Sequence, residues 1–201
     1  MRGNHDSSYW NRHAYWDKTQ ARYIANDGWA FTDDHMYLYQ KKYPNILYVA
    51  DGGGIYNIGN YNFLMIPGAY SVDKWYRLRM GYPYNPNEQL TEEQWQDLYR
   101  IIKVWCDLNF EIDFVIGHTF PYKLQPEIEY LFMEGLDQSA IDKTTEHWLD
   151  TLSELYETNF AFKHYFGGHF HDDKQLTDKY TMLYHNIINI EDYIEPFVKE
   201  F

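Results

Sequence analysis

Cysteine is nearly absent from this chain. The one copy, Cys106, cannot close an internal disulfide and excludes every multi-cysteine zinc pattern, so any metal must be held by histidine, asparagine and carboxylates. Its expected role is to fill space on a helix face. Long apolar runs are missing too: no stretch approaches the roughly 18 residues of a membrane span, and no basic-then-apolar leader stands before Gly3. A cytoplasmic protein without a membrane partner is the expectation. Positive charge is scarce, with 17 Lys and Arg against 30 Asp and Glu and a formal net charge of −13. That balance argues against non-specific nucleic-acid binding and against an anionic membrane surface, since both need a basic face. An anionic substrate remains open, because bound divalent ions reverse the local field.

What is abundant is aromatic: 21 Tyr, 12 Phe and 7 Trp in 201 residues, a length that fits one domain with its own core. Residues 46–50 read as a strand, Asp51-Gly52-Gly53-Gly54 as a hairpin turn, and residues 55–58 as the returning strand. A phosphate-binding loop is excluded there, because no Gly-Lys-Ser/Thr follows the glycines. Residues 63–66 read as a third strand ending at Pro67-Gly68, and 82–86, with two prolines, as a loop. Thr91 and Gln94 form a capping box, and Trp95, Leu98, Ile102 and Trp105 recur at helical spacing, which predicts an amphipathic helix to about residue 108. A buried strand over 112–116 delivers Gly117-His118. Trp148, Leu149, Leu152, Leu155 and Tyr156 mark another helix, residues 162–166 lead as a strand into Gly167-Gly168-His169, and 180–190 suggests late strands. Strands ending in ligand-type residues and alternating with helices predict an α/β layered sandwich.

Three segments carry chemistry: Gly3-Asn4-His5-Asp6, Gly117-His118 and Gly168-His169-Phe170-His171. Hydrolysis of a phosphate ester needs an activated water, neutralised phosphoryl oxygens and a proton for the leaving oxygen, and two metals about 3.5 to 4 Å apart supply the first two. His169 and His171 straddle one residue in a glycine-preceded loop, so both rings can converge on adjacent ions. A histidine cannot readily be both ligand and proton donor. Asp6, or a backbone carbonyl, can orient the His5 ring toward substrate, which leaves Asn4 as the ligand of that pair. A mixed nitrogen and oxygen donor set is compatible with Mn, Fe, Zn or Ni.

These segments resemble the calcineurin-like metallophosphoesterase superfamily, whose pattern runs D-x-H, G-D-x-x-D, G-N-H-D/E, a His after Gly, then G-H-x-H. The last three blocks are present in order. Gly-Asn-His-Asp alone arises by chance on the order of once in 10⁵ positions at average residue usage. The resemblance implies two mixed β-sheets flanked by helices and a dinuclear site of two divalent ions at the strand ends. By that match Asn4, His118 and His169 would hold the second metal and His171 the first, while His5 would protonate the leaving group with Asp6 orienting it. Pro67-Gly68-Ala69-Tyr70-Ser71-Val72-Asp73-Lys74 and Thr145-Glu146-His147-Trp148-Leu149-Asp150 also look like segments of small bacterial and phage members of the family.

Other candidates compete with blander roles. Arg2, Lys74 and Arg77 are candidate contacts to substrate phosphate, each weighed against an ordinary solvated cation. His13, His35, His147, His164 and His185 are expected at the surface or the edge of the core. Asp172 and Asp173 either brace the metal-holding histidines or form a solvated acidic turn. Ser7 beside His5 and Asp6 does not make a serine hydrolase, because three adjacent residues cannot easily fold into nucleophile, base and orienter.

Only Met1 and Arg2 precede Gly3, so the D-x-H and G-D-x-x-D blocks, which in the family supply the bridging carboxylate, have no place in the chain. The expectation is therefore a single domain over 1–201 that forms the C-terminal portion of a longer enzyme, N-terminally truncated, with exposed sheet edges and apolar surface. Its expected partners are a phosphate-ester substrate and either the missing N-terminal fragment or a second copy of itself. Two rivals stand beside the phosphoesterase. One is a non-catalytic remnant that binds at most one metal or serves as an interaction module; the other is an aromatic-rich ligand-binding domain.

Overall fold

The computed structural model describes residues 9–131, 141–159 and 162–194. It is an α/β fold built on one six-stranded mixed sheet. In chain order come α1 (Tyr9–His13), β1 (Ala14–Asp17), β2 (Arg22–Ala25), β3 (Trp29–Phe31), β4 (Leu38–Gln40), β5 (Leu47–Tyr48), β6 (Gly54–Ile58), β7 (Tyr61–Ile66), α2 (Lys74–Met80) and α3 (Glu92–Asp107). Then follow β8 (Phe114–Gly117), a 3₁₀ segment (Tyr122–Leu131), α4 (Thr144–Asn159), β9 (His164–Gly167), β10 (Lys174–Thr177), β11 (Tyr180–Met182) and a short 3₁₀ turn (Ile190–Tyr193). The large sheet has the order β10-β11-β9-β8-β7-β6. Its four inner strands run parallel and its two edge strands antiparallel. The smaller sheets, β1-β2 and β3-β4-β5, are antiparallel. Among the described residues, no helix is long and apolar enough to cross a membrane.

Alternation along the parallel strands sends side chains to two cores. Leu64, Ile66, Val115 and Tyr165 face α3 and α4, where Trp95, Leu98, Ile102, Leu149 and Leu152 complete the larger cluster. The Trp95 and Trp148 rings stack at 5.1 Å and 6° between the two helices. Phe63, Met65, Phe114 and Phe166 face the other side, covered by Tyr37, Val49 and residues of the 188–194 segment. The capping box at the start of α3 is present in full: the Gln94 N–H donates to the Thr91 hydroxyl and the Thr91 N–H to the Gln94 side chain. Such a cap contributes about 1 kcal/mol. Cys106 packs half-buried on the α3 face turned to this core, as expected.

The inner strands are held level at both ends. At the amino end, the Asp113 carboxylate accepts the Asn62 N–H at 2.8 Å and pairs with the Lys163 ammonium, tying β7, β8 and β9 together. At the carboxyl end, the His118 N–H donates to the Ile66 carbonyl at 3.0 Å and the Gly168 N–H to the His118 carbonyl at 3.1 Å. The Leu183 N–H continues the series to the Gly167 carbonyl at 2.8 Å.

Three local expectations need correction. The triple glycine is not a hairpin turn, because β5 belongs to the three-stranded sheet while β6 pairs with β7. The chain changes sheet there, and the real hairpin turns on Gly59-Asn60, a dipeptide suited to two-residue turns. The late strand stops at Met182 rather than 190, since residues 184–186 are drawn into a turn by a carboxylate described below. His164 is not at the core edge: it is 2% exposed on β9, with Nε2 2.8 Å from the Thr181 hydroxyl and its ring against Phe166 and Tyr193. His13, His35, His147 and His185 do lie at the surface or half-buried.

Burial lowers the pKa of His164 from 6.5 to about 4, because the charged ring would have to be desolvated. A folded-state value below the unfolded one gives a contribution to stability that is complete above pH 6.5 and lost as the pH falls toward 4. Urea unfolding at pH 7 and pH 4.5 is therefore expected to show the wild type losing about 2 to 3 kcal/mol more than His164→Gln, which has no charge to gain. Equal losses in the two proteins would contradict the buried neutral histidine.

Candidate functional site

His118 and His169 meet at the carboxyl edge of the parallel sheet, where open α/β sheets place their ligands. Each sits one or two residues beyond a strand end, on neighbouring strands β8 and β9, and both are half-buried. Their rings approach edge to face, with centroids 5.1 Å apart. Gly117 and Gly167 are required by close packing rather than by turn geometry. A side chain at Gly117 would overlap the Tyr165 hydroxyl, which donates to the Thr119 carbonyl at 2.7 Å, and one at Gly167 would overlap the Phe120 ring. Gly168 has ordinary room for a Cβ.

Beneath His118 the chain is clamped from two sides. Thr119, 1% exposed, offers its carbonyl to Tyr165 and its hydroxyl to the Glu146 carboxyl at 3.2 Å. Glu146 at the start of α4 is itself 2% exposed, and burial raises its pKa above the ordinary carboxylate range. In the sequence Glu146 stood only within a family-like segment, with no role of its own. An acidic side chain in the first turn of a helix reads as a solvated partner of the helix dipole.

The loop after β9 is strained. His169 and His171 both adopt left-handed backbone conformations, with φ of +73° and +59°. Glycine would hold those angles without penalty, whereas an L side chain there is disfavoured by about 1 kcal/mol or more. Between the two histidines, Phe170 turns inward and packs on the large core, its ring 6.4 Å from that of Phe120. His171 is exposed and stacks on Tyr184 at 5.0 Å and 21°.

Asp173 explains where Tyr184 comes from. Its carboxylate accepts the backbone N–H groups of Tyr184, His185 and Asn186 at 2.8 to 3.1 Å, which also lowers its pKa. It thus supports His171 through the Tyr184 ring, without touching the imidazole. Asp172 accepts the Asp173 N–H at 2.8 Å.

Asn4, His5, Asp6 and Arg2 lie outside the described residues. Arg77 is tied to its own loop, its guanidinium donating to Asp73 at 2.8 Å and to the Pro83 carbonyl at 3.3 Å. The Lys74 ammonium sits 5.0 Å from each of the Tyr70 and Tyr84 ring centroids, in a cavity that none of the three histidines lines. Among the described residues, no group of three or more His, Cys, Asp or Glu side chains converges as a metal cage. The described donor set therefore fits a divalent ion only in part, with the His118 and His169 imidazoles side by side and His171 stacked on Tyr184.

No family model, curated protein or solved structure matches the chain. The strained loop gives a direct test. At positions 169 and 171, a glycine variant is expected to be about 1 kcal/mol more stable than the alanine variant, since both remove the ring and only alanine retains the backbone penalty. Denaturant unfolding of the four variants checks this; alanine equal to or better than glycine would show the loop to be unstrained.

Proposed function

We propose that this chain carries part of the site of a metal-dependent phosphoesterase, within a two-sheet sandwich, acting on a phosphomonoester or phosphodiester. The observation that carries the reading is the edge-to-face pair of His118 and His169 at the ends of adjacent parallel strands, in the order of motifs that follows Gly3-Asn4-His5-Asp6. The retained strain at His169 and His171 supports it, since such conformations gather at functional sites. In this reading His118, His169 and Asn4 hold one divalent ion and His171 a second, drawn from Mn, Fe, Zn or Ni. Bound ions would supply water activation and neutralisation of the phosphoryl oxygens. His5 gives a proton to the leaving oxygen and Asp6 fixes the direction of its ring. The carboxylates that complete such a centre are not in these motifs. In this reading they come from outside the three motifs.

A second reading has its own support. In it the chain is a non-catalytic remnant that binds at most one ion, in keeping with the described residues, among which no three metal-binding side chains converge. Manganese titration and hydrolysis of p-nitrophenyl phosphate and its bis ester separate the two. The phosphoesterase predicts manganese-dependent turnover that falls by about 10²-fold or more in His5→Ala, the loss expected for a proton donor. His169→Ala is expected to weaken metal binding and turnover together. A single weakly bound ion without turnover establishes the second reading, and turnover unchanged in both variants contradicts the assignment of these residues.

A further inference from the structure

α3 is apolar over more of its circumference than one core requires. Trp95, Leu98 and Ile102 are buried in the larger cluster. Beside them Ile101, Val104 and Leu108, three and four residues apart, make a second row on the outer surface, 43%, 49% and 58% exposed, and Phe110 continues it just past the helix end at 51%. A helix that packs on one core needs an apolar stripe only about 100° wide, so the second row is surplus to the fold.

The row is bordered by charge on one side and by a cavity on the other. Arg100 and Asp107, seven residues apart and so on one flank, each sit in an exposed pair within the helix, Arg100 with Asp97 at 2.7 Å and Asp107 with Lys103 at 2.8 Å. On the opposite flank a cavity of about 200 Å³ lies between Leu98 and Ile101 of α3 and the side chains of Trp10 and Tyr23. Trp105, seven residues on from Leu98, holds the Phe110 ring on that same flank at 5.2 Å. From residue 97 to 108 the helix carries two acids and two bases, in a chain whose net charge is −13. Two copies can meet here without the repulsion that the net charge imposes elsewhere.

We propose that α3 docks antiparallel on α3 of a second copy of this chain about a two-fold axis, Ile101 against Val104, with Arg100 meeting Asp107 and Phe110 entering the cavity at Trp10 and Tyr23, each contact made twice. One register serves all three contacts. Placing Ile101 on Val104 brings Arg100 within two residues of Asp107 in the other copy, about 3 Å along the axis, where it bridges that carboxylate and its own Asp97. The same register sets Phe110 opposite the 94–98 turn that walls the cavity. A cavity of about 150 Å³ lined by apolar groups holds benzene, so there is room for a phenyl ring. The interface uses none of the histidines of the metal-dependent reading.

Sedimentation equilibrium of the full chain is expected to show monomer and dimer exchanging with a dissociation constant in the micromolar range, as suits one helix per copy. Val104→Asp, which sets carboxylates in the apolar row, and Phe110→Ala, which empties both cavities, are each expected to weaken it by about tenfold or more. Charge reversal tests the register. Arg100→Glu and Asp107→Lys each put like charges face to face twice and are expected to be monomeric alone, whereas an equal mixture of the two variants regains both ion pairs and associates as the wild type does. These side chains are 71% and 62% exposed, so the reversals leave the fold intact. His169→Ala should not alter association. A wild type that stays monomeric at about 300 µM, association indifferent to Val104→Asp or to the reversals, or reversed variants that remain apart when mixed would each overturn the proposal.

Discussion

The Tyr165 hydroxyl reaches across β8 to the Thr119 carbonyl, and it can do so because residue 117 has no side chain. That one contact sits inside the constraint on which the arrangement depends: three parallel strands kept level, so that the residues just past their ends share one edge. Asp113 sets the level from below through Asn62 and Lys163. The hydrogen bonds from His118 to Ile66 and from Gly168 to His118 set it from above. A slip of one residue between β8 and β9 would turn every side chain of the slipped strand to the other face and separate the two imidazoles. The stability of the sheet and the geometry of the site are the same set of interactions.

Around that edge the chain places backbone strain where it places histidine. Two left-handed residues within three positions lie on a loop whose middle residue, Phe170, is anchored in the core. The core anchor holds the loop in a shape its own backbone resists. Asp173 extends the support outward, gathering three N–H groups to set the Tyr184 ring against His171.

Much of the central sheet was legible in the sequence, and the reasons are local. Residues 63–66, 112–116 and 162–166 are compact apolar or aromatic runs ending at Gly or Pro, and α3 carries both a capping box and an apolar stripe. The first four strands were not legible. They are three or four residues long and show little of the alternation that marks a strand packed on one face. α2 gave no periodic signal because none of its residues is buried. The triple glycine misled because it advertises a turn more loudly than Gly59-Asn60. In the site, His118 and His169 were marked by their glycines, although the need for those glycines, a hydroxyl and a ring from elsewhere in the fold, was not visible. Neither Glu146 under Thr119 nor the span from Asp173 to Tyr184 leaves a trace in the linear order, since both arise from tertiary packing.

Under the proposed function, His118 and His169 hold one ion between them. Pulsed electron paramagnetic resonance of the manganese-loaded protein, with its histidines labelled with heavy nitrogen, tests this most directly. Couplings from imidazole nitrogens that diminish in His118→Ala and again in the His118→Ala/His169→Ala double variant are the predicted result. Manganese bound with no histidine coupling, or with a coupling indifferent to both substitutions, would contradict the account.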